Sequence, residues 1–191
     1  DTLAQTHVFS HFTTKKPFLL YAPSWEAKTH ENPTSFFCET ERLIEQLSED
    51  YHLIIKLHPN LNTLYPAQTL QITERHRSNP SVLFLTHFPP LYPLLAQCAL
   101  YIGDFSSVGY DFLAFDKPLY FFNPLEGKPP PYLHRCGMQI PNNQKNRLKE
   151  WIQETYPYAQ EHYAEARKTA YAYAFGEELN PTELKKELYR K

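Results

Sequence analysis

Glycine is scarce in this chain, with 5 among 191 residues. Neither G-x-G-x-x-G nor G-x-x-x-x-G-K occurs, which excludes a glycine-rich phosphate loop. Any nucleotide must be held by another device. Cysteine is scarcer, with three at positions 38, 98 and 136. They form no Cys-x-x-Cys pair and leave an odd count. That argues against a disulfide framework or a structural zinc site and for a reducing compartment. Basic charge is not in excess either: Lys plus Arg number 19 and Asp plus Glu 21, for a formal net charge of -2. A broad nucleic-acid footprint needs the opposite balance. No apolar run approaches the ~20 residues that span a bilayer.

What is present is ordinary for a globular chain, with 42% hydrophobic and 21% charged residues. Disorder is therefore not expected. The unusual counts are 17 prolines, 14 tyrosines and 13 phenylalanines. The length suits one compact domain with an appendage. The first residue is Asp1, so the chain reads as processed or as a piece of something longer. No basic start leads into an apolar stretch, so no signal peptide is expected.

Apolar runs closed by proline alternate with helical patterns. Phe18 to Ala22 reads as a buried strand closed by Pro23. Asn32-Pro33 looks like a helix start, and Phe36, Phe37, Thr40, Leu43, Ile44 and Leu47 follow at helical spacing. His52 to His58 is a second strand ended by Pro59, and a short helix is placed near 66–76. Val82 to Leu85, Leu100 to Gly103 and Leu119 to Phe122 give further strands, and Met138 to Ile140 a short last one. A helix over 90–97 turns Leu91, Leu94 and Leu95 inward, and Ser106 can cap one that buries Val108, Phe112 and Phe115. Residues 123–136 read as a proline-rich rigid loop. Leu148, Trp151, Ile152 and Thr155 mark a helix, a Tyr- and Ala-rich helix covers 157–174, and a final one runs from Asn180-Pro181 to Tyr189.

This alternation predicts an α/β fold: a Rossmann-like open parallel sheet with helices on both faces. Such sheets bind ligands beyond the carboxyl ends of their strands. Four polar segments are placed there: Tyr21-Ala22-Pro23-Ser24-Trp25, Lys56-Leu57-His58-Pro59, Thr86-His87-Phe88-Pro89 and Gly103-Asp104-Phe105-Ser106-Ser107. Ser106 and Ser107 at a helix start offer hydroxyls and backbone N–H groups to an anion such as a phosphate; the alternative is a plain N-cap. Lys56 and His58, two apart, share a strand face. Lysine suits a phosphate as a point charge. Histidine can move a proton or donate a hydrogen bond. The alternative is an edge cation and a loop histidine bonded to backbone. Asp104 can bind a hydroxyl or fix its own turn, and Asp111 can brace the loop or face solvent. Trp25 can stack on a base, though packing is the commoner use. His7 and His11 are spaced for a metal but lack a third ligand, so no metal site is expected. Cys98 reads as core. The Tyr-rich helix has few basic residues, so it does not read as a base-stacking surface.

Together, Tyr21-Ala22-Pro23-Ser24-Trp25, Ile55-Lys56-Leu57-His58-Pro59, Tyr101-Ile102-Gly103-Asp104-Phe105-Ser106-Ser107-Val108 with Asp111-Phe112-Leu113, and Asp116-Lys117-Pro118 resemble the CDP-glycerol glycerophosphotransferase family. Order and spacing both match. The resemblance implies the C-terminal, donor-binding half of a GT-B glycosyltransferase-like fold, in enzymes that build teichoic-acid-type poly(glycerol phosphate). By resemblance, His58 is catalytic and contacts the donor phosphates. Lys56, Ser106 and Ser107 hold the diphosphate. Ser24, Trp25, Pro59, Asp104 and Asp111 line the nucleotide pocket with the 134–140 region.

The implied partners are a nucleotide-activated donor and an N-terminal Rossmann-like half that carries the acceptor site. No cofactor or metal is implied. The setting is cytoplasmic, with peripheral membrane association through other parts of the protein. Residues 1–17 would be a connector, 18–155 the donor-binding domain, and 156–191 helices packing back on it or on the N-terminal half. Two positions depart from the family. Glu26 stands where a basic residue is usual, and a carboxylate repels a diphosphate. Residues 141–145 lack the expected acidic residues. A nucleotide-sugar therefore stays open as the donor. The other readings are a non-catalytic nucleotide- or sugar-phosphate-binding module and a UDP-sugar epimerase-type enzyme.

Overall fold

The computed structural model describes residues 8–25, 35–86, 91–122 and 131–176. Six strands form one parallel sheet in the order β3-β2-β1-β4-β5-β6. They are β1 Phe18–Ala22, β2 His52–Lys56, β3 Val82–Leu85, β4 Cys98–Gly103, β5 Leu119–Phe121 and β6 Met138–Gln139. The helices are α1 Ser35–Leu47, α2 Pro59–Leu64, α3 Pro66–Arg75, α4 Leu91–Gln97, α5 Val108–Phe112, α6 Leu148–His162 and α7 Ala164–Phe175.

The apolar runs are continuous because both sheet faces are covered. Side chains alternate across a strand, so β1 feeds two cores. Leu19 and Tyr21 join Leu53, Ile55, Leu100, Ile102 and Tyr120 under α1 and α6. Leu20 and Ala22 join Ile54, Tyr101, Leu119 and Phe121 under α4, α5 and α7. Helix α1 buries Phe36, Thr40, Leu43, Ile44 and Leu47, as its spacing implied, and half-buries Phe37. Cys98 is fully buried in the second core.

Several boundaries move. The second strand stops at Lys56, and His58-Pro59 starts a helix, α2, that the sequence pattern does not reveal. Pro59 reads equally as a strand stop and as a first helical residue, where its missing N–H costs nothing. The stretch at 132–136 is a 3-10 turn rather than loop. Pro157 lies inside α6, so the break falls at Tyr163 instead of near 156. Proline removes a bond to the carbonyl four residues back, but that residue, Gln153, is exposed and water can serve it. The domain boundary drawn at 155/156 thus falls within α6. The starts at Asn32-Pro33 and Asn180-Pro181, with His7, Glu26, His87 to Pro89 and residues 123–130, lie outside the described residues.

At the amino ends of the strands, cations close helix C-termini, where carbonyls lack partners. Lys16 Nζ donates to the Ser48 carbonyl behind α1 (2.9 Å). Lys117 Nζ donates to the carbonyls of Ala96 (2.5 Å) and Cys98 (2.7 Å) at the end of α4. Arg167, fully buried, donates to the Ala159 (2.9 Å) and Gln160 (2.5 Å) carbonyls in α6 and to Asp116 Oδ1 (2.7 Å). Asp116 turns the chain in the left-handed region, φ 47°. The described part of the N-terminal segment is strapped to the same end. His11 Nε2 meets the Val82 carbonyl at 3.1 Å, and His52 Nε2 meets that of Thr14 at 2.8 Å.

Candidate functional site

Strand order reverses between β1 and β4, because the chain crosses from β3 at one edge back to β4. A crevice opens at the carboxyl ends of strands at such a switch point. The residues there are Ser24 and Trp25 after β1, His58 after β2, and the 104–107 turn after β4. Lys56 is the last residue of β2.

Asp104 is the hub. It is 1% exposed. Its Oδ1 accepts from the Ser24 N–H (2.8 Å) and the Phe105 N–H (2.6 Å); its Oδ2 accepts from Ser24 Oγ (3.0 Å) and Ser35 Oγ (2.5 Å). Four donors on one carboxylate satisfy both of its oxygens. Asp104 therefore fixes its turn, the structural one of its two readings, and Ser24 is spent on the same brace. Burial, then the Asp104 charge, pushes the Tyr21 and Tyr101 phenols well up, so both stay neutral. Gly103 must be glycine: a Cβ there would stand 2.1 Å from the Tyr101 hydroxyl.

His58 is the N-cap of α2, and its Nδ1 accepts from the Asn60 N–H (3.2 Å). With Nδ1 an acceptor, a neutral ring carries its hydrogen on Nε2. Nε2 then presents a donor, not a base. The expected strand through His58 is thus corrected. Lys56 and His58 are joined at the crevice by strand end and helix cap rather than by one strand face. Pro59 is exposed at the first position of α2. Trp25 is half-buried against the core, and its ring lies 5.8 Å from that of His58, tilted by 36°. Packing, not stacking on open solvent, describes it.

Lys56 is half-buried. Burial lowers its pKa, and the nearby Asp111 carboxylate works the other way. Asp111 also accepts from the Tyr92 hydroxyl (3.2 Å), so α4, α5 and β2 meet through it. Ser107 occupies the cap position of α5 with helical angles (φ -60°, ψ -22°) and makes no side-chain cap bond. Ser106 opens the helix turn with its carbonyl, which accepts from the Gly109 N–H (3.1 Å), and its side chain is hydrogen-bonded to the Tyr101 hydroxyl. A side-chain cap by Ser107 therefore fails on this geometry, while Ser106 keeps the place of the residue that opens the helix.

Sequence reasoning missed Ser35 and Tyr92, and it reached His134 and Gln139 only as part of the 134–140 region expected to line the pocket. Ser35 and His134 lie 69 and 30 residues from Asp104, and no local pattern links them. Gln139 Nε2 donates to the His134 carbonyl (2.9 Å). Among the described residues no cluster of three or more His, Cys, Asp or Glu could hold a metal ion. His11, half of the rejected metal pair, is bonded to a carbonyl instead.

A family model described as CDP-Glycerol:Poly(glycerophosphate) glycerophosphotransferase matches residues 10–126. The teichoic acid glycerol-phosphate primase of Bacillus subtilis (strain 168) is 30% identical over 112 residues, covering 56% of this chain and 26% of the relative. Among solved structures, the wall teichoic acid polymerase TagF soaked with CDPG aligns at a TM-score of 0.57 and 18% identity, over 98% of this chain and 45% of that one. The UDP-GlcNAc 2-epimerase from Neisseria meningitidis bound to UDP-GlcNAc aligns at a TM-score of 0.62 and 14% identity, over 97% of this chain and 47% of that one. Both structural likenesses show the Rossmann-like fold. The chain spans about a quarter of the curated relatives and under half of these structures.

Proposed function

The chain belongs to the CDP-glycerol:poly(glycerophosphate) glycerophosphotransferase family, and from that premise we propose that it is the donor-binding half of a glycerophosphotransferase in cell-wall polymer synthesis. The observation that carries the reading is the crevice at the β1–β4 switch point. Of the family motifs, Ser24 and Trp25, Lys56 and His58, and the 104–107 turn stand there, at the carboxyl end of the sheet, with Asp104 and Ser24 as the brace, while Asp116-Lys117-Pro118 lies at the amino end. The reaction is attack by an acceptor hydroxyl oxygen on the glycerol-bearing phosphorus of CDP-glycerol. The P–O bond to CMP breaks, CMP leaves with the bond pair, and the hydroxyl proton passes to a base. That base and the acceptor site belong to an N-terminal half.

This chain's residues serve the donor. Ser106 and Ser107 offer hydroxyls and first-turn N–H groups to the diphosphate. Lys56 offsets its charge, and the Nε2–H of His58 donates to the phosphate that leaves. The N-cap bond supports this donor role for His58 over that of a base. Asp104 and Ser24 set the turn's shape, and Trp25, Pro59 and Asp111 shape the pocket walls. No metal or other cofactor enters the reading. The site faces the cytoplasm, with membrane contact only peripheral and made elsewhere in the protein. Among the described residues no helix is long and apolar enough to cross a membrane.

The epimerase shares the fold at 14% identity, and that gives the epimerase alternative no specific support. The test is turnover of labelled CDP-glycerol by the full-length protein with a glycerol-phosphate acceptor. Release of CMP with glycerol phosphate joined to the acceptor is expected. Binding without turnover would select a non-catalytic module, and turnover of a UDP-sugar without acceptor would select an epimerase.

A further inference from the structure

One buried titratable group at the carboxyl end is given no donor contact in the reading above. His134 is 1% exposed and sits in the 3-10 turn Tyr132–Cys136. Its ring is stacked between Phe121 (centroids 4.3 Å apart, planes 16°) and Phe105 (5.3 Å, 18°). Its Nε2 lies 2.5 Å from the backbone oxygen of Asp104. A carbonyl only accepts, so Nε2 carries the hydrogen. Nδ1 is buried and, among the described residues, has no partner, which is the pattern of a neutral ring. Burial lowers the pKa of His134. The Asp104 carbonyl, Gln139 and the Asp104 charge act in the opposite sense. Asp104 is the charged group that faces the ring, and Phe105 and Phe121 cover its two sides.

The position of that bond matters more than its strength. The Asp104 oxygen and the Phe105 N–H belong to one planar peptide group. Its N–H end is held by Asp104 Oδ1 at 2.6 Å. Its oxygen end is held by His134. A planar group pinned at both ends cannot rotate, and it is the group that leads directly into Ser106 and Ser107. Phe105, stacked on the pinning ring, removes the remaining freedom.

We propose that His134 is a positioning residue for the donor: it locks the Asp104–Phe105 peptide plane and so presents the Ser106-Ser107 turn to the diphosphate. This rests on the donor-binding function proposed for the crevice. His134 touches no substrate and acts only through the turn.

Two substitutions separate its contributions. His134→Phe keeps a flat ring between Phe105 and Phe121 but removes the donor. His134→Gln restores an N–H near the Nε2 position. The probes are CDP affinity by calorimetry and the backbone amide spectrum of Phe105 to Val108 in ligand-free protein. In His134→Phe, CDP should bind at least tenfold more weakly and the Phe105 and Ser106 amides should shift. His134→Gln should recover most of both. In the full-length enzyme, KM for CDP-glycerol should rise with kcat little changed.

His134→Phe binding CDP like the parent, with unshifted amides, would overturn the proposal. If the parent itself does not bind CDP, the donor reading fails. The proposal's phosphate clause falls with it, and the amide shifts still decide whether His134 pins the turn. Should His134→Phe not fold, nitrogen-detected spectra of the parent decide. An Nε2–H tautomer is expected, and an Nδ1–H tautomer would overturn the lock.

Discussion

Two buried charges sit at opposite ends of one sheet, and they are stabilised in opposite ways. At the carboxyl end Asp104 collects N–H and hydroxyl donors from Ser24, Ser35 and Phe105. At the amino end Arg167 spends its guanidinium on the carbonyls of Ala159 and Gln160 and on Asp116. The difference follows from topology. In a parallel α/β sheet, helix N-termini gather at the carboxyl end and helix C-termini at the amino end. One end needs cations to quiet carbonyls, and Lys16 and Lys117 repeat the solution of Arg167. The other end has N–H groups to spare for an anion. Asp104 consumes some of them, and on the donor-binding proposal the next turn serves a phosphate. Equal burial therefore goes with unequal roles: the amino end holds the fold, and on the donor-binding proposal the carboxyl end holds the fold and the ligand.

The sharpest way to break this comparison is to remove each charge in turn. Asp104→Ala leaves the Ser24 and Phe105 N–H groups without their acceptor. It should cost about 3 kcal/mol in urea unfolding, given that hydrogen bonds to a charged group are worth ~1.5–3 kcal/mol each. CDP binding should be lost with it. Arg167→Ala should cost about 2–3 kcal/mol for the same reason but leave the CDP affinity of the folded protein unchanged. If Arg167→Ala weakened CDP binding as much as Asp104→Ala, the two ends would not be functionally distinct.

Smaller effects refine the carboxyl end. His58→Asn keeps a capping oxygen for the Asn60 N–H but loses the Nε2 donor. Unfolding should barely change, while CDP affinity drops roughly tenfold, about 1.4 kcal/mol. An unchanged affinity would leave His58 a cap and nothing more. Asp111→Asn removes the carboxylate that opposes the burial effect on Lys56. An ammonium that binds phosphate is lost as pH rises through its pKa. Lowering that pKa further should make CDP affinity in the variant begin to fall at a lower pH than in the parent. Coincident profiles would exclude Lys56 as the phosphate's counter-charge.

Much of the fold was readable locally because both sheet faces are buried. Phe18 to Ala22 and Val82 to Leu85 are apolar runs whose ends coincide with β1 and β3. Helix α2 was not readable, since Leu61 alone is buried in it. The site was half legible. His58, Lys56 and the serines announced themselves by lying after apolar runs. Their roles did not, because a cap, a saturated carboxylate and a pinned peptide depend on partners brought from far along the chain. Ser24 and Asp104, 80 residues apart, are the clearest case.

The most direct measurement is calorimetric titration of CDP into the chain and into the double variant Ser106→Ala, Ser107→Ala. Binding to the parent is expected, weakened in the variant by ~1–3 kcal/mol, the range for hydrogen bonds lost from a charged group. CDP that fails to bind the folded parent, or that binds both proteins equally, would contradict the placing of the donor phosphates at this end of the sheet.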